Sequence, residues 1–106
     1  MLFRSVAATP GLSVLAAGIA DACSGPVTAM PDAILACLRQ AMADPCLLTE
    51  AQQETKDGCY ARHVLYADPA GRFTIVSLVW DAGQFSPVHG HYTWCAYMVQ
   101  IGRAHV

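Results

Sequence analysis

The chain of 106 residues carries a formal net charge of −2, and 55% of its residues are hydrophobic whereas 13% are charged. Its length allows one domain, and its charge gives no electrostatic basis for binding nucleic acid or an anionic membrane. No apolar run approaches the length of a membrane span. From charge and hydropathy together, the sequence predicts neither a nucleic-acid partner nor a membrane partner.

Helical patterns occupy the first half of the chain. Apolar residues recur at helical spacing from Gly11 to Ala22, and a second apolar stripe runs from Pro31 to Asp44. A short third helix is predicted from Thr49 to Thr55, where Thr49 and Gln52 have the spacing of an N-cap and its reciprocal partner. We expect these helices to cover one side of a following β-domain.

Cysteine usage indicates a cytoplasmic protein. The five cysteines are odd in number and form no C-x-x-C pair, which argues against a disulfide framework and for a reducing compartment. Arg4 and the Ala/Leu stretch after it resemble a secretory signal. However, Pro10-Gly11 interrupts that stretch and Asp21 lies in the cleavage region, so an N-terminal helix is favoured.

The second half reads as consecutive short strands. Cys59 to Tyr66 and Arg72 to Trp80 are rich in β-branched and aromatic residues, and Asp68 to Gly71 is a turn signal between them. Thr93 to Gln100 alternates loosely as a further strand. The sequence therefore predicts a mainly β fold, an antiparallel sandwich or jelly roll after a helical preface.

The segment from Gly83 to Cys95 contains the strongest candidate site. His89 and His91 are two residues apart, so on a strand both imidazoles lie on one face and can reach a single metal ion. An H-x-H pair alone is also typical of solvated or hydrogen-bonded histidines. Cys95 can likewise be a small buried hydrophobe.

The spacing of these residues resembles a known motif. Gly83, five residues, His89, one residue, His91, three residues and Cys95 resemble the first metal-binding motif of the cupin superfamily, with Cys95 in place of its outer Glu. This substitution resembles the thiol dioxygenases, such as cysteine dioxygenase, and PVHGHYTWCAY is similar to their bacterial branch. The resemblance implies the first part of a cupin jelly roll and Fe(II) held by three histidines. Three neutral imidazole ligands leave Fe(II) with its full double positive charge, and this charge favours an anionic thiolate as the incoming ligand.

Tyr60 and Arg62 resemble a second motif of the same family. Its Y-x-R sequence supplies the arginine that holds the substrate carboxylate, which suits Arg62 because a guanidinium can donate two parallel hydrogen bonds. An arginine that faces water at a strand edge is the alternative. The resemblance also implies catalytic roles for Tyr60 and Cys95. His63 is predicted on the opposite strand face, outside the site, and Trp80 is predicted in the core or pocket wall, as is Trp94.

The implied function is iron-dependent oxidation of cysteine, or of a related small thiol such as 3-mercaptopropionate, to its sulfinic acid. The partners are then a small thiol with a carboxylate, and O₂. One alternative is a cupin module that binds a metal or small ligand without catalysis. A different cupin enzyme is another, although Arg62 and Cys95 argue against it.

The chain is expected to be a fragment of this enzyme. We divide it into a helical segment (residues 1–55), a partial cupin domain (56–100) and a non-native tail (101–106), because IGRAHV resembles a translated sequencing adaptor. On this hypothesis His105 is not the third iron ligand. That histidine and a late tyrosine of the family are expected in a later half, and the fragment alone is expected to be inactive.

Overall fold

The computed structural model describes residues 8–84 and 94–99. Helix α1 spans Pro10–Ser24, α2 spans Met30–Met42, strand β1 spans Ala61–Ala67 and β2 spans Thr74–Val79, with short 3₁₀ turns at Val27–Ala29 and Ala51–Gln53. The two long helices and the first two strands thus lie within a few residues of their predicted bounds. Within the described ranges, none of the helices has the length and apolar character needed to cross a membrane.

The prediction of a mainly β fold is wrong. The α-helices contain 15 and 13 residues, whereas the strands contain 7 and 6 and form one two-stranded antiparallel sheet. The strand predicted from Thr93 to Gln100 is also absent from residues 94–99, which adopt neither helix nor strand. Strand formation depends on a neighbouring strand and on packing more than on local propensity, and the hairpin packs on helices instead of on a second sheet.

Helix α1 begins at a capped turn. The Thr9 hydroxyl oxygen accepts a hydrogen bond from the Leu12 N–H (3.1 Å) and donates to the Leu47 carbonyl (2.6 Å). Pro10 follows the cap, where its fixed φ favours the helix and its missing N–H costs nothing. The cap therefore starts α1 and also connects it to the chain beyond α2.

The helices and the hairpin share one hydrophobic core. Its buried members are Leu12, Leu15, Ile19, Ile34, Ala41, Leu47 and Phe73. Phe73 comes from the segment just before β2 and stacks on Tyr66 of β1, with ring centroids 5.7 Å apart. One face of the hairpin is thus buried against α1 and α2, so the opposite face is turned away from the core.

The hairpin turn is fixed to the end of α1. The Asp68 carboxylate accepts hydrogen bonds from Arg72 Nε (2.8 Å) and from the Arg72 backbone N–H (2.9 Å). Arg72 Nη1 donates to the Ser24 hydroxyl oxygen (3.3 Å) in the last turn of α1. The side-chain hydrogen bond from Arg72 lowers the pKa of Asp68 from 3.8 to about 2, against the opposing effect of burial.

Candidate functional site

The outer face of the hairpin exposes Arg62 among apolar side chains. Arg62 lies opposite Leu78, and Val64 lies opposite Val76, in the antiparallel ladder. Leu78 is 42% exposed and Val64 is 50% exposed. Arg62 is itself exposed, and within the described ranges it forms no ion pair. Its guanidinium can therefore accept a ligand without first breaking a contact to a described acidic residue.

An aromatic pair stands beside Arg62 at the open end of the hairpin. Tyr60 precedes β1 and Trp80 follows β2, and their rings stack with centroids 5.2 Å apart and planes inclined by 29°. Trp80 is 43% exposed, so it belongs to the surface beside the site and not to the core. The stack restricts the orientation of the Tyr60 ring and thereby of its hydroxyl group.

A shallow pocket of about 420 Å³ adjoins this end of β1. It is lined by Glu54, Thr55, Lys56, Cys59, Tyr60, Ala61, Arg62 and His63. Two of these side chains carry a positive charge, from Lys56 and Arg62, whereas Glu54 alone is acidic. The excess of positive charge suits a small anion, and a carboxylate matches the two parallel N–H donors of a guanidinium.

His63 lines the same pocket, although strand alternation predicts it on the opposite face, outside the site. Its Nε2–H donates a hydrogen bond to the Glu54 carbonyl oxygen at 2.9 Å. A carbonyl only accepts, so this bond fixes the proton on Nε2. The ring thus holds the loop before β1 against the strand, which is a structural role that strand alternation alone does not reveal.

His89 and His91 lie outside the described residues, as does His105. Cys95 is an exposed free thiol on residues 94–99, beside Trp94, which is 43% exposed. In residues 8–84 and 94–99, no group of three or more His, Cys, Asp or Glu side chains could hold a metal ion.

The turn that leads into the histidine segment is bonded to the loop before Tyr60. Gly83 has φ +85°, a left-handed conformation that favours glycine. The next residue, Gln84, accepts a hydrogen bond from the Asp81 N–H through Oε1 (2.7 Å) and donates from Nε2 to the Lys56 carbonyl (2.8 Å). This contact is not predicted from the sequence, because its only local signal is an amide directly after the turn glycine.

Comparison with known proteins adds no assignment. No protein-family model matches the chain, and no solved structure matches it. The resemblance to thiol dioxygenases is therefore carried by Tyr60, Arg62 and the spacing from Gly83 to Cys95 alone.

Proposed function

We propose that the intact protein containing this chain is an iron-dependent dioxygenase that oxidises cysteine, or a related small thiol such as 3-mercaptopropionate, to its sulfinic acid. The observation that carries the proposal is that the exposed Arg62 lines a pocket together with a second basic residue, Lys56, and one acidic residue, Glu54. The chain that begins at the bonded turn of Gln84 leads to His89 and His91. Gln84, which precedes this segment, is bonded to the loop that leads into Tyr60 and Arg62.

The described residues act on the substrate through charge and orientation. Arg62 binds the carboxylate with two parallel N–H···O bonds, and Lys56 adds positive charge on the same pocket. The ring of Tyr60 is held by stacking on Trp80. Its hydroxyl group donates a hydrogen bond near the substrate carboxylate or near dioxygen. Positioning of this kind lowers the entropic part of the barrier.

The proposed ligands of iron(II) are His89, His91 and a third histidine. When bound there, the iron would supply the chemistry that involves dioxygen. In the net reaction both oxygen atoms of O₂ are bonded to sulfur, and sulfur supplies all the electrons that O₂ accepts, so no reductant is required. A cytoplasmic location suits this chemistry, because a reducing compartment keeps thiols reduced. The five free cysteines of the chain agree with such a location.

The proposal is tested by incubating the intact, Fe(II)-loaded protein with each thiol and measuring oxygen uptake and sulfinate. We expect sulfinate from at least one thiol, with a loss of activity in His89→Ala and His91→Ala and after chelation of the metal. Absence of sulfinate from the loaded protein would contradict the proposal. It would favour the non-catalytic ligand-binding module, for which carboxylate binding at Arg62 is retained.

A further inference from the structure

The pocket beside Arg62 contains charged residues of both signs. Glu54, Lys56 and Arg62 all line it, and all three are exposed. Within residues 8–84 and 94–99, neither Glu54 nor Arg62 forms an ion pair. The opposite charges in the pocket therefore do not pair with each other, and both remain available to a ligand that itself carries charges of both signs.

The backbone that carries Glu54 is fixed to the hairpin. The Gln52 carbonyl accepts a hydrogen bond from the Ser77 hydroxyl of β2 (3.1 Å), and the Glu54 carbonyl accepts one from His63 of β1 (2.9 Å). His63 directly follows Arg62 in the strand. The backbone of Glu54 is thus held against the strand that carries Arg62, so the two residues share one pocket whether or not a ligand is bound.

We propose that Glu54 is a specificity-determining residue that binds the ammonium group of the substrate, while Arg62 binds its carboxylate. This inference rests on the proposed function and selects cysteine over 3-mercaptopropionate, because cysteine alone carries an α-ammonium group. A carboxylate accepts a charge-assisted hydrogen bond from an ammonium, which is stronger than a bond between neutral groups. With 3-mercaptopropionate, Glu54 has no ammonium to bind and its charge repels the substrate carboxylate.

The test measures the binding of three thiols to the intact Fe(II)-loaded protein, without oxygen, by isothermal titration calorimetry. Cysteine carries a carboxylate and an ammonium, 3-mercaptopropionate carries the carboxylate alone, and cysteamine carries the ammonium alone. Glu54→Gln removes the charge of the side chain and keeps the backbone carbonyl that His63 binds. Glu50→Gln is the matched control, because Glu50 is also exposed but does not line the pocket.

We expect Glu54→Gln to weaken the binding of cysteine and of cysteamine about three- to tenfold, the range for one hydrogen bond, without weakening that of 3-mercaptopropionate. Glu50→Gln should leave all three affinities unchanged. Any other pattern, such as equal weakening of all three thiols or unchanged binding of cysteine, would overturn the inference. Glu54→Ala must give the same selective loss, and it replaces Glu54→Gln if that variant fails to fold.

Failure of the proposed function gives a different result. If the wild-type protein, supplied with oxygen, forms no sulfinate from either cysteine or 3-mercaptopropionate, the dioxygenase is contradicted. The selective loss of cysteine and cysteamine binding in Glu54→Gln would still assign the ammonium group to Glu54, because the calorimetric measurement does not depend on turnover.

Discussion

On the proposed function, replacement of Arg62 by methionine separates substrate binding from the stability of the fold. Arg62 is exposed, lies opposite the half-exposed Leu78, and forms no ion pair with a described residue. A surface substitution of this kind changes the free energy of unfolding by less than about 0.5 kcal/mol. Methionine keeps the unbranched stem of the side chain and removes its charge and its donors.

The effect expected on catalysis follows from the two hydrogen bonds proposed between Arg62 and the substrate carboxylate. A hydrogen bond to a charged group contributes about 1.5–3 kcal/mol. Because the pocket is open to water, we take that range for the two hydrogen bonds of Arg62 together. At about 1.4 kcal/mol per factor of ten, Arg62→Met lowers kcat/KM by about ten- to a hundredfold. Arg62→Lys keeps the charge without the planar fork and gives a smaller loss.

The assay is oxygen uptake by the intact iron-loaded protein at several thiol concentrations, with thermal unfolding of the same preparations. Arg39→Met is the matched control, because Arg39 is an exposed arginine in the last turn of α2. It should leave both kcat/KM and the melting temperature unchanged. Arg62→Met with kcat/KM within about twofold of the wild type would refute the assigned role of Arg62, since even one such hydrogen bond contributes more.

Three further substitutions test the fold. Leu12 is 1% exposed, so Leu12→Ala should lower the free energy of unfolding by about 2–5 kcal/mol in urea titrations, and a loss below about 1 kcal/mol would contradict its place in the core. Thr9→Ala removes the α1 cap and should cost about 1 kcal/mol in the same titrations, whereas an unchanged midpoint would count against the cap. Because the pKa of Asp68 is lowered to about 2, its ionised form stabilises the fold above its unfolded pKa of 3.8. That contribution is lost as pH falls from 3.8 towards 2, and melting temperatures across this range should fall less in Asp68→Asn than in the wild type.

The local parts of the fold were predictable because their signals are local. The apolar stripe of α1 repeats at helical spacing and follows a Thr-Pro start, and the helix forms there. The reciprocal hydrogen bonds predicted between Thr49 and Gln52 are confirmed at 2.9 and 3.3 Å. The element that forms there is a 3₁₀ turn, Ala51–Gln53, instead of the predicted helix, because so short a segment gains too few hydrogen bonds to offset helix nucleation.

The features that failed or were missed depend on distant residues. The loose alternation from Thr93 to Gln100 predicts a strand, but residues 94–99 form none, because pairing needs a neighbouring edge that local sequence does not specify. The bond from Gln84 to Lys56 joins residues 28 apart, and the contact of Arg72 with Ser24 joins residues 48 apart. Neither contact has a periodic signal, so only the folded chain brings these groups together.

The most direct test of a thiol dioxygenase is the origin of the oxygen in its product. The intact iron-loaded protein is incubated with cysteine or 3-mercaptopropionate under ¹⁸O₂, and the sulfinic acid is analysed by mass spectrometry. We predict that both sulfinate oxygen atoms carry the label and that His91→Ala gives no product. A sulfinate with label in only one oxygen atom, or no sulfinate from the wild-type protein, would contradict the account.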